Sequence, residues 1–205
     1  MNLLKYTFRM GTPLVIKVGG SLLPHGREII RTIFKSGRDA LVLPGGGIFA
    51  DAVRETRTDG TIAHWMAIAG MEQYGWLLSG FGIEVTEEPE FSGKPRLLLP
   101  YKYCRERDPL PHTWDVTSDT ISAWFASHLG ADLLVLKSID QIRATGVPID
   151  LISKQVETQD LDPLFIPYIL DHSIRGMIIN GTFPDRVSKA LKGEAVVGTS
   201  FGPMI

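Results

Sequence analysis

Cysteine is almost missing from this sequence. Cys104 is the only one, so no internal disulfide can form. A reducing compartment is the natural reading, and a cytoplasmic location is expected. Flanked by Tyr103, Arg105 and Arg107, the thiol reads as incidental rather than as a reactive thiolate. A basic surplus is missing too. Lys and Arg total 21 against 23 Asp and Glu, a net charge of -2, which disfavours a nucleic-acid partner. No apolar run approaches the ~18 residues of a membrane span, so no membrane partner is expected. Met1 to Met10 carries Lys5 and Arg9 but no apolar stretch long enough for a signal segment. There is no internal repeat and no low-complexity tract. The glycine loops fit neither G-x-x-x-x-G-K-S/T nor G-x-G-x-x-G, which excludes the P-loop and the Rossmann fingerprint on spacing. What remains is 205 residues, 44% hydrophobic and 21% charged. That suits one globular domain over 1–205 with a full-sized core.

Short apolar runs closed by glycine alternate with helical periodicity. Leu14 to Gly19 reads as a buried strand, ended by Gly19-Gly20-Ser21. Ile29, Ile30, Ile33 and Phe34 predict a helix over Arg27 to Lys35, stopped by Gly37. Ala40 to Leu43 is a second strand, closed by Pro44-Gly45-Gly46-Gly47, and helices are expected over Ile48 to Thr56 and Thr61 to Leu78, with Thr61 as N-cap. Farther on, Arg96 to Tyr103 suggests a strand, and the proline- and charge-rich Arg105 to Trp114 a loop. Thr117 to Leu129 reads as a helix with Gly130 at C′. Asp132 to Leu136 reads as a strand, and Gln141 to Val156 as turns and short strands. A helix over Asp160 to Leu170 should be kinked or ended by Pro167. Strand Gly176 to Ile179, helix Pro184 to Leu191 and strand Ala195 to Val197 complete the chain. Strand–loop–helix alternation of this kind predicts a three-layer α/β/α sandwich with a mainly parallel central sheet.

Lys17 is the most informative residue. It interrupts the apolar strand Leu14-Val15-Ile16-Lys17-Val18, and such strands are covered on both faces. A lysine there loses hydration at high cost unless an anion receives it. The bland alternative is a lysine that snorkels out at the strand end. The adjacent glycine loop favours the anion, because its backbone N–H groups suit the same phosphate. A second loop, Gly45, Gly46 and Gly47, also follows a strand, at the edge where open parallel sheets bind ligands. Asp119 falls in the first turn of a helix, a position that helix-dipole chemistry alone would explain. His64-Trp65 and His112 with Trp114-Asp115 sit near helix starts, where they could line an acceptor pocket or simply pack and face solvent.

Five segments together resemble the amino-acid kinase superfamily, whose fold is carbamate-kinase-like. They are Val15 to Ser21, Leu43 to Gly47, Thr117-Ser118-Asp119-Thr120, His128 to Leu136, and Leu191-Lys192-Gly193-Glu194 with Gly198-Thr199. They recur in the family's order over nearly the whole chain. The resemblance implies an ATP-dependent kinase with an acceptor site in the N-terminal half and a nucleotide site in the C-terminal half. It casts Lys17 and Asp119 as catalytic: Lys17 stabilises the γ-phosphoryl and Asp119 orients Lys17. It puts Gly19, Gly20 and Ser21 on the ATP phosphates, with Lys137, Ser138 and Asp140 around the nucleotide. Gly45, Gly46 and Gly47 face the acceptor. Magnesium accompanies ATP without a protein-built metal site, and a homo-oligomer is expected.

Within the superfamily, His64 to Ala67, Gln73-Tyr74-Gly75 and Asp108 to Asp119 are similar to the phosphate kinases of methanofuran biosynthesis. Their acceptor carries an aromatic ring, an ammonium and a phosphate. By that likeness His64, Trp65, Trp114 and Asp115 bind the acceptor, with Trp65 or Trp114 over the ring and Asp115 on the ammonium. One departure stands out. Several amino-acid kinases carry a second active-site lysine where this chain has Asp160 to Ile166, without lysine; Lys154 or Lys189 would have to replace it in space. Isopentenyl phosphate, a nucleoside monophosphate or an acyl carboxylate are the alternative acceptors. A non-catalytic nucleotide or oxyanion binder on the same scaffold is the alternative of another class.

Overall fold

The computed structural model describes residues 6–203; the N-terminal stretch read above for a signal segment begins in residues 1–5, outside them. β1 (Leu14–Val18) lies at the middle of an eight-stranded sheet. Its neighbours are β2 (Ala40–Pro44) on one side and β5 (Asp132–Lys137) on the other, both parallel to it. Beyond β2 come β4 (Arg96–Leu98) and β3 (Val85–Thr86). Beyond β5 come β9 (Gly176–Asn180), β10 (Thr199–Phe201) and β8 (Leu151–Ile152). Every pairing in this sheet is parallel except that of β9 with β10. A separate two-stranded hairpin joins β6 (Arg143–Ala144) to β7 (Val147–Pro148). The central strands β1, β2 and β9 are buried along their whole length and β5 in all but its last residue, as near-continuous apolar runs in a parallel sheet require.

The faces follow the two-residue period of a strand. Leu14, Ile16 and Val18 join Leu134 and Leu136 beneath α1 (Gly26–Ser36) and α7 (Pro184–Leu191). Val15, Leu133 and Val135 face α5 (Ser118–His128) and α6 (Phe165–Asp171). α3 (Gly60–Ser79) adds Ile68 and Met71 to a third cluster with Leu41, Leu43 and Phe125, while its Tyr74 and Leu78 pack with the first. Lys17 shares the face of Val15, so its side chain emerges under α5. α2 (Gly47–Glu55) packs along α3, where Gly70 lets the helices close: a Cβ there would stand 3.2 Å from the Ala50 nitrogen.

Four local expectations need correction. The strand at Arg96 stops at Leu98, because Pro100 turns the chain into α4 (Tyr101–Arg107), which takes Tyr101 to Tyr103 and Arg105 to Arg107. The helix expected over Asp160 to Leu170 begins at Phe165, and Pro167 lies in its first turn, where a missing N–H costs nothing. Apolar Ala195 to Val197 is not a strand. The buried ladder uses polar Thr199 and Ser200, whose groups are satisfied by Thr199 Oγ1 donating to the Ile149 carbonyl at 2.7 Å and Ser200 N donating to the Asp150 carbonyl at 2.8 Å. α3 starts one residue before Thr61, with extended Asp59 as its N-cap.

Candidate active site

The Lys17 ammonium is 2.7 Å from Asp119 Oδ1, and the Lys137 ammonium is 2.7 Å from Oδ2 of the same carboxylate. Lys17 and Asp119 are both buried and Lys137 is largely so. The geometry follows from three adjacent elements. Lys17 is the fourth residue of β1 and Lys137 the last of β5, its parallel neighbour, while Asp119 is the second residue of the helix crossing over them. Lys17 makes an ion pair with Oδ1 but leaves that oxygen without a well-directed hydrogen bond. Burial pushes the Lys17 ammonium below its ordinary pKa, against the pull of Asp119. Burial also raises Asp119, but Lys17 and Lys137 outweigh it and hold the carboxylic acid at about 2. Within the triad one carboxylate faces two ammonium groups, so these three side chains by themselves carry a net positive charge at the wall of a largely buried space. That is an environment built for an anion.

The two glycine loops press against each other beside this triad. A Cβ on Gly20 would collide with the backbone of Gly47, and one on Gly45 would stand 2.8 Å from the Gly20 nitrogen. Gly47 also has φ of 53°, a left-handed conformation that suits glycine. The loops are anchored to the sheet by Gly19 N donating to the Leu136 carbonyl at 2.9 Å and Gly45 N donating to the Val18 carbonyl at 2.8 Å. Ser21 Oγ lies 3.1 Å from Ser138 Oγ, which links the first loop to the end of β5. α2 starts directly from the second loop, so the open end of its dipole faces the same space.

Asp162 holds the start of α5. One carboxylate oxygen accepts from Thr117 N at 2.9 Å, Thr117 Oγ1 at 2.8 Å and Thr120 N at 3.0 Å. The other accepts from Thr120 Oγ1. Asp119 lies between the two threonines, so this clamp fixes its direction. Burial and the nearby Asp119 push the Asp162 carboxyl above its usual range. Nothing in the sequence marks Asp162: its partners Thr117 and Thr120 are 45 and 42 residues away in the chain, and its own segment is notable only for lacking lysine.

Between the triad and α2–α3 lies a cavity of about 270 Å³. Lys17, Gly19, Gly20, Ser21, Gly46, Gly47, His64, Trp114, Asp119 and Lys137 line it. Ala63, Ala67, Ile68 and Met71 give it an apolar wall. Asp51, Arg54 and Thr113 also line it, and no motif points to them. Gly45 lies under the second loop rather than on the cavity. Trp65 is turned behind His64, between Tyr101 and the Arg105 guanidinium, 4.6 Å from its ring centre. Asp115 is not on the cavity wall; its backbone accepts from Leu164 N at 3.1 Å. Asp140 is engaged by Arg186 at 2.5 Å and Asn180 at 3.1 Å, at the sheet edge beyond Ser138. Lys154 and Lys189 are exposed and outside the cavity; the second ammonium on the cavity wall is that of Lys137. Cys104 is buried, and burial pushes its thiol up to about 12, which suits an inert thiol.

His64 stacks on His112 at 4.3 Å between ring centres, and His112 in turn contacts Thr61 Oγ1 at 2.9 Å and Asp108 Oδ1 at 2.7 Å. Burial, and then the neighbouring His112, lower the His64 pKa from 6.5 to about 4, with Asp108 opposing. Between pH 6.5 and 4 the unfolded chain therefore binds a proton that the folded chain refuses, and stability falls as pH falls through that window. From pH 7 to 4.5 this amounts to about 2 kcal/mol. Urea midpoints at those two pH values are expected to show the loss in the wild type and much less of it in His64→Gln; an equal loss in both would assign it elsewhere.

Among the described residues no group of three His, Cys, Asp or Glu side chains is placed to hold a metal ion. Asp119 already faces two ammonium groups.

No protein-family model matches the chain. In sequence it is similar to the [5-(aminomethyl)furan-3-yl]methyl phosphate kinase of Methanocaldococcus jannaschii, 23% identical over 202 residues, covering 88% of this chain and 93% of that protein. In structure it is similar to the uridylate kinase of Archaeoglobus fulgidus, with a TM-score of 0.68, 21% identity, and coverage of 92% of this chain and 99% of that one. An isopentenyl phosphate kinase structure matches with a TM-score of 0.65 and 13% identity, over 92% of this chain and 99% of that one. The expected three-layer arrangement is thus the amino-acid-kinase fold.

Proposed function

We propose that this chain, by fold a member of the amino-acid kinase superfamily, is a phosphotransferase that moves the γ-phosphoryl group of ATP to a small phosphate monoester. The buried Lys17–Asp119–Lys137 triad beside two interlocked glycine loops is the observation that carries this reading. An oxygen of the acceptor phosphate attacks the γ-phosphorus. The bond from that phosphorus to the β,γ-bridging oxygen breaks, ADP leaves with the electron pair, and the product is a diphosphate. An ionised phosphate needs no proton removed, so positioning and charge neutralisation carry the rate. Lys17 and Lys137 neutralise charge on the transferring group, and Asp119 keeps them directed at it. Gly19, Gly20 and Ser21 hold the ATP phosphates, with Ser138 and Asp140 on the nucleotide side. Gly45, Gly46 and Gly47 bring α2's positive end to the acceptor phosphate. Magnesium belongs to the co-substrate, as the ion on the ATP phosphates.

For the acceptor we favour [5-(aminomethyl)furan-3-yl]methyl phosphate. The sequence likeness to the kinase of that name supports it, as does a cavity that combines an apolar wall with a tryptophan face. ATP consumption with magnesium and a panel of phosphate monoesters tests both levels. Turnover on the aminomethylfuran phosphate alone supports the full reading. Turnover on isopentenyl phosphate or a nucleoside monophosphate retains the phosphotransfer and replaces the acceptor. ATP binding without turnover on any acceptor makes the chain a nucleotide-binding protein.

The chain is also read as a homo-oligomer acting where ATP is available, in the cytoplasm. Ile62, Met66, Ala69, Gln73 and Trp76 of α3 recur at alternating four- and three-residue spacing, the period of a helix-to-helix seam. Ile62 is 65% exposed and Trp76 56%. Light scattering is expected to give at least a dimer for the wild type and a monomer for Trp76→Glu; a wild-type monomer would contradict the oligomer.

A further inference from the structure

The two ends of the cavity differ in charge character. At the inner end are Lys17, Lys137 and the start of α2. At the mouth the Arg54 guanidinium is held by the Asp51 carboxylate at 2.6 Å and lies 4.7 Å from the centre of the Trp114 ring. All three of these mouth residues line the cavity. They come from different places: Asp51 and Arg54 from consecutive turns of α2, and Trp114 from the segment between α4 and α5. A carboxylate and an aromatic face that converge on one cation make a cation site, and here the protein fills it with its own side chain. Apart from the Asp51 carboxylate and the Trp114 face, Arg54 is only loosely held. Its side chain is 48% exposed, and an exposed pair at i,i+3 is worth little by itself.

We propose that the mouth site recognises a primary ammonium on the acceptor, which displaces Arg54 from Asp51 and from the face of Trp114. The inference rests on reading the cavity as an acceptor site and names the chemistry of the acceptor's far end: a phosphate at one end, a small ring against Ala63 and Ile68, and an ammonium at the other. Gly47 and Arg54 are about 10 Å apart along α2, and helical side chains lean toward the N-terminus, which shortens the gap that a ring with two short arms must span. The residue that the family resemblance suggests for this role, Asp115, does not line the cavity; Asp51 does.

Two probes isolate the ammonium: 3-(aminomethyl)benzyl phosphate, and benzyl phosphate, which lacks the amine. In calorimetric titrations of the full chain, the first is expected to bind about tenfold more tightly than the second. Asp51→Asn is expected to bring that ratio close to one. Arg54→Ala is expected to increase it, because it removes the competing cation. Both substitutions are at exposed positions, so folding is not at risk. A wild-type ratio near one, or a ratio that Asp51→Asn leaves intact, overturns the proposal. So does Arg54→Ala weakening both probes alike, which would make Arg54 a ligand for the acceptor's anion. An ATP-consumption assay with the same probes separates the two levels. The expected preference in binding without ATP consumption supports the mouth site and removes the phosphotransfer reading. Equal turnover of both probes keeps phosphotransfer and overturns the mouth site.

Discussion

Lys17→Met is expected to lower kcat by about a thousandfold while shifting Tm by no more than about 4 °C. The two halves of that result have separate causes. The rate falls because the ammonium is a pre-directed positive charge at the transferring phosphoryl, and a methionine of similar length supplies none. The fold holds because the lysine is a liability in the absence of ligand: burial lowers its pKa, so the charged form is penalised at neutral pH. Removing it lifts that penalty. Removing one partner of a buried pair is ordinarily severe, because a charge is left alone. Here Asp119 keeps Lys137 at 2.7 Å. A large drop in Tm would make Lys17 a structural ion-pair partner. An unchanged kcat would remove it from the chemistry.

Asp162→Ala is expected to cost about 3 kcal/mol of stability and to lower kcat as well. Its carboxylate accepts from two backbone N–H groups and two hydroxyls at the start of α5. Alanine leaves the two N–H donors without that partner in a buried place. The first turn of α5 then loosens, and Asp119 moves with it. Asp162→Asn keeps one acceptor oxygen and should recover part of both losses. A normal kcat in a destabilised Asp162→Ala would separate the clamp from the site and limit its role to folding. Acid should act through the triad in the opposite sense to Asp162. Asp119 is held at about 2, so the stability it contributes is complete above the ordinary carboxylate pKa and is lost as pH falls toward 2.

The parts of the site legible in the sequence are those whose chemistry is local. Lys17 stands out because a lysine in an apolar strand violates the pattern around it, and the glycines because they follow strand ends. The parallel core could be read because β1, β2, β5 and β9 are near-continuous apolar runs, broken only by Lys17 in β1 and by polar residues at the ends of β5 and β9, as strands covered on both faces are. The C-terminal strand was obscured for the converse reason. Thr199 and Ser200 are buried by hydrogen bonds to Ile149 and Asp150, while the apolar Val197 is 44% exposed. Asp162, Asp51 and Arg54 depend on contacts that no spacing rule encodes. Asp162 precedes α6 and meets Thr117 and Thr120 through the packing of that segment against α5, and Asp51 and Arg54 read as an ordinary exposed helical pair without the Trp114 ring that lies against Arg54. The resemblance places Lys137 around the nucleotide, but its pairing with Asp119 as the second ammonium of the triad follows from the parallel register that sets the end of β5 beside β1.

The most direct test of the central claim is phosphorus NMR of the purified chain with ATP, magnesium and the aminomethylfuran phosphate. The expected result is loss of the γ-phosphate resonance with the appearance of ADP and of a new diphosphate, a pair of coupled phosphorus signals from the acceptor, and neither in Lys17→Met. ATP that stays intact beside a bound but unchanged acceptor would contradict phosphoryl transfer at the Lys17–Asp119–Lys137 triad.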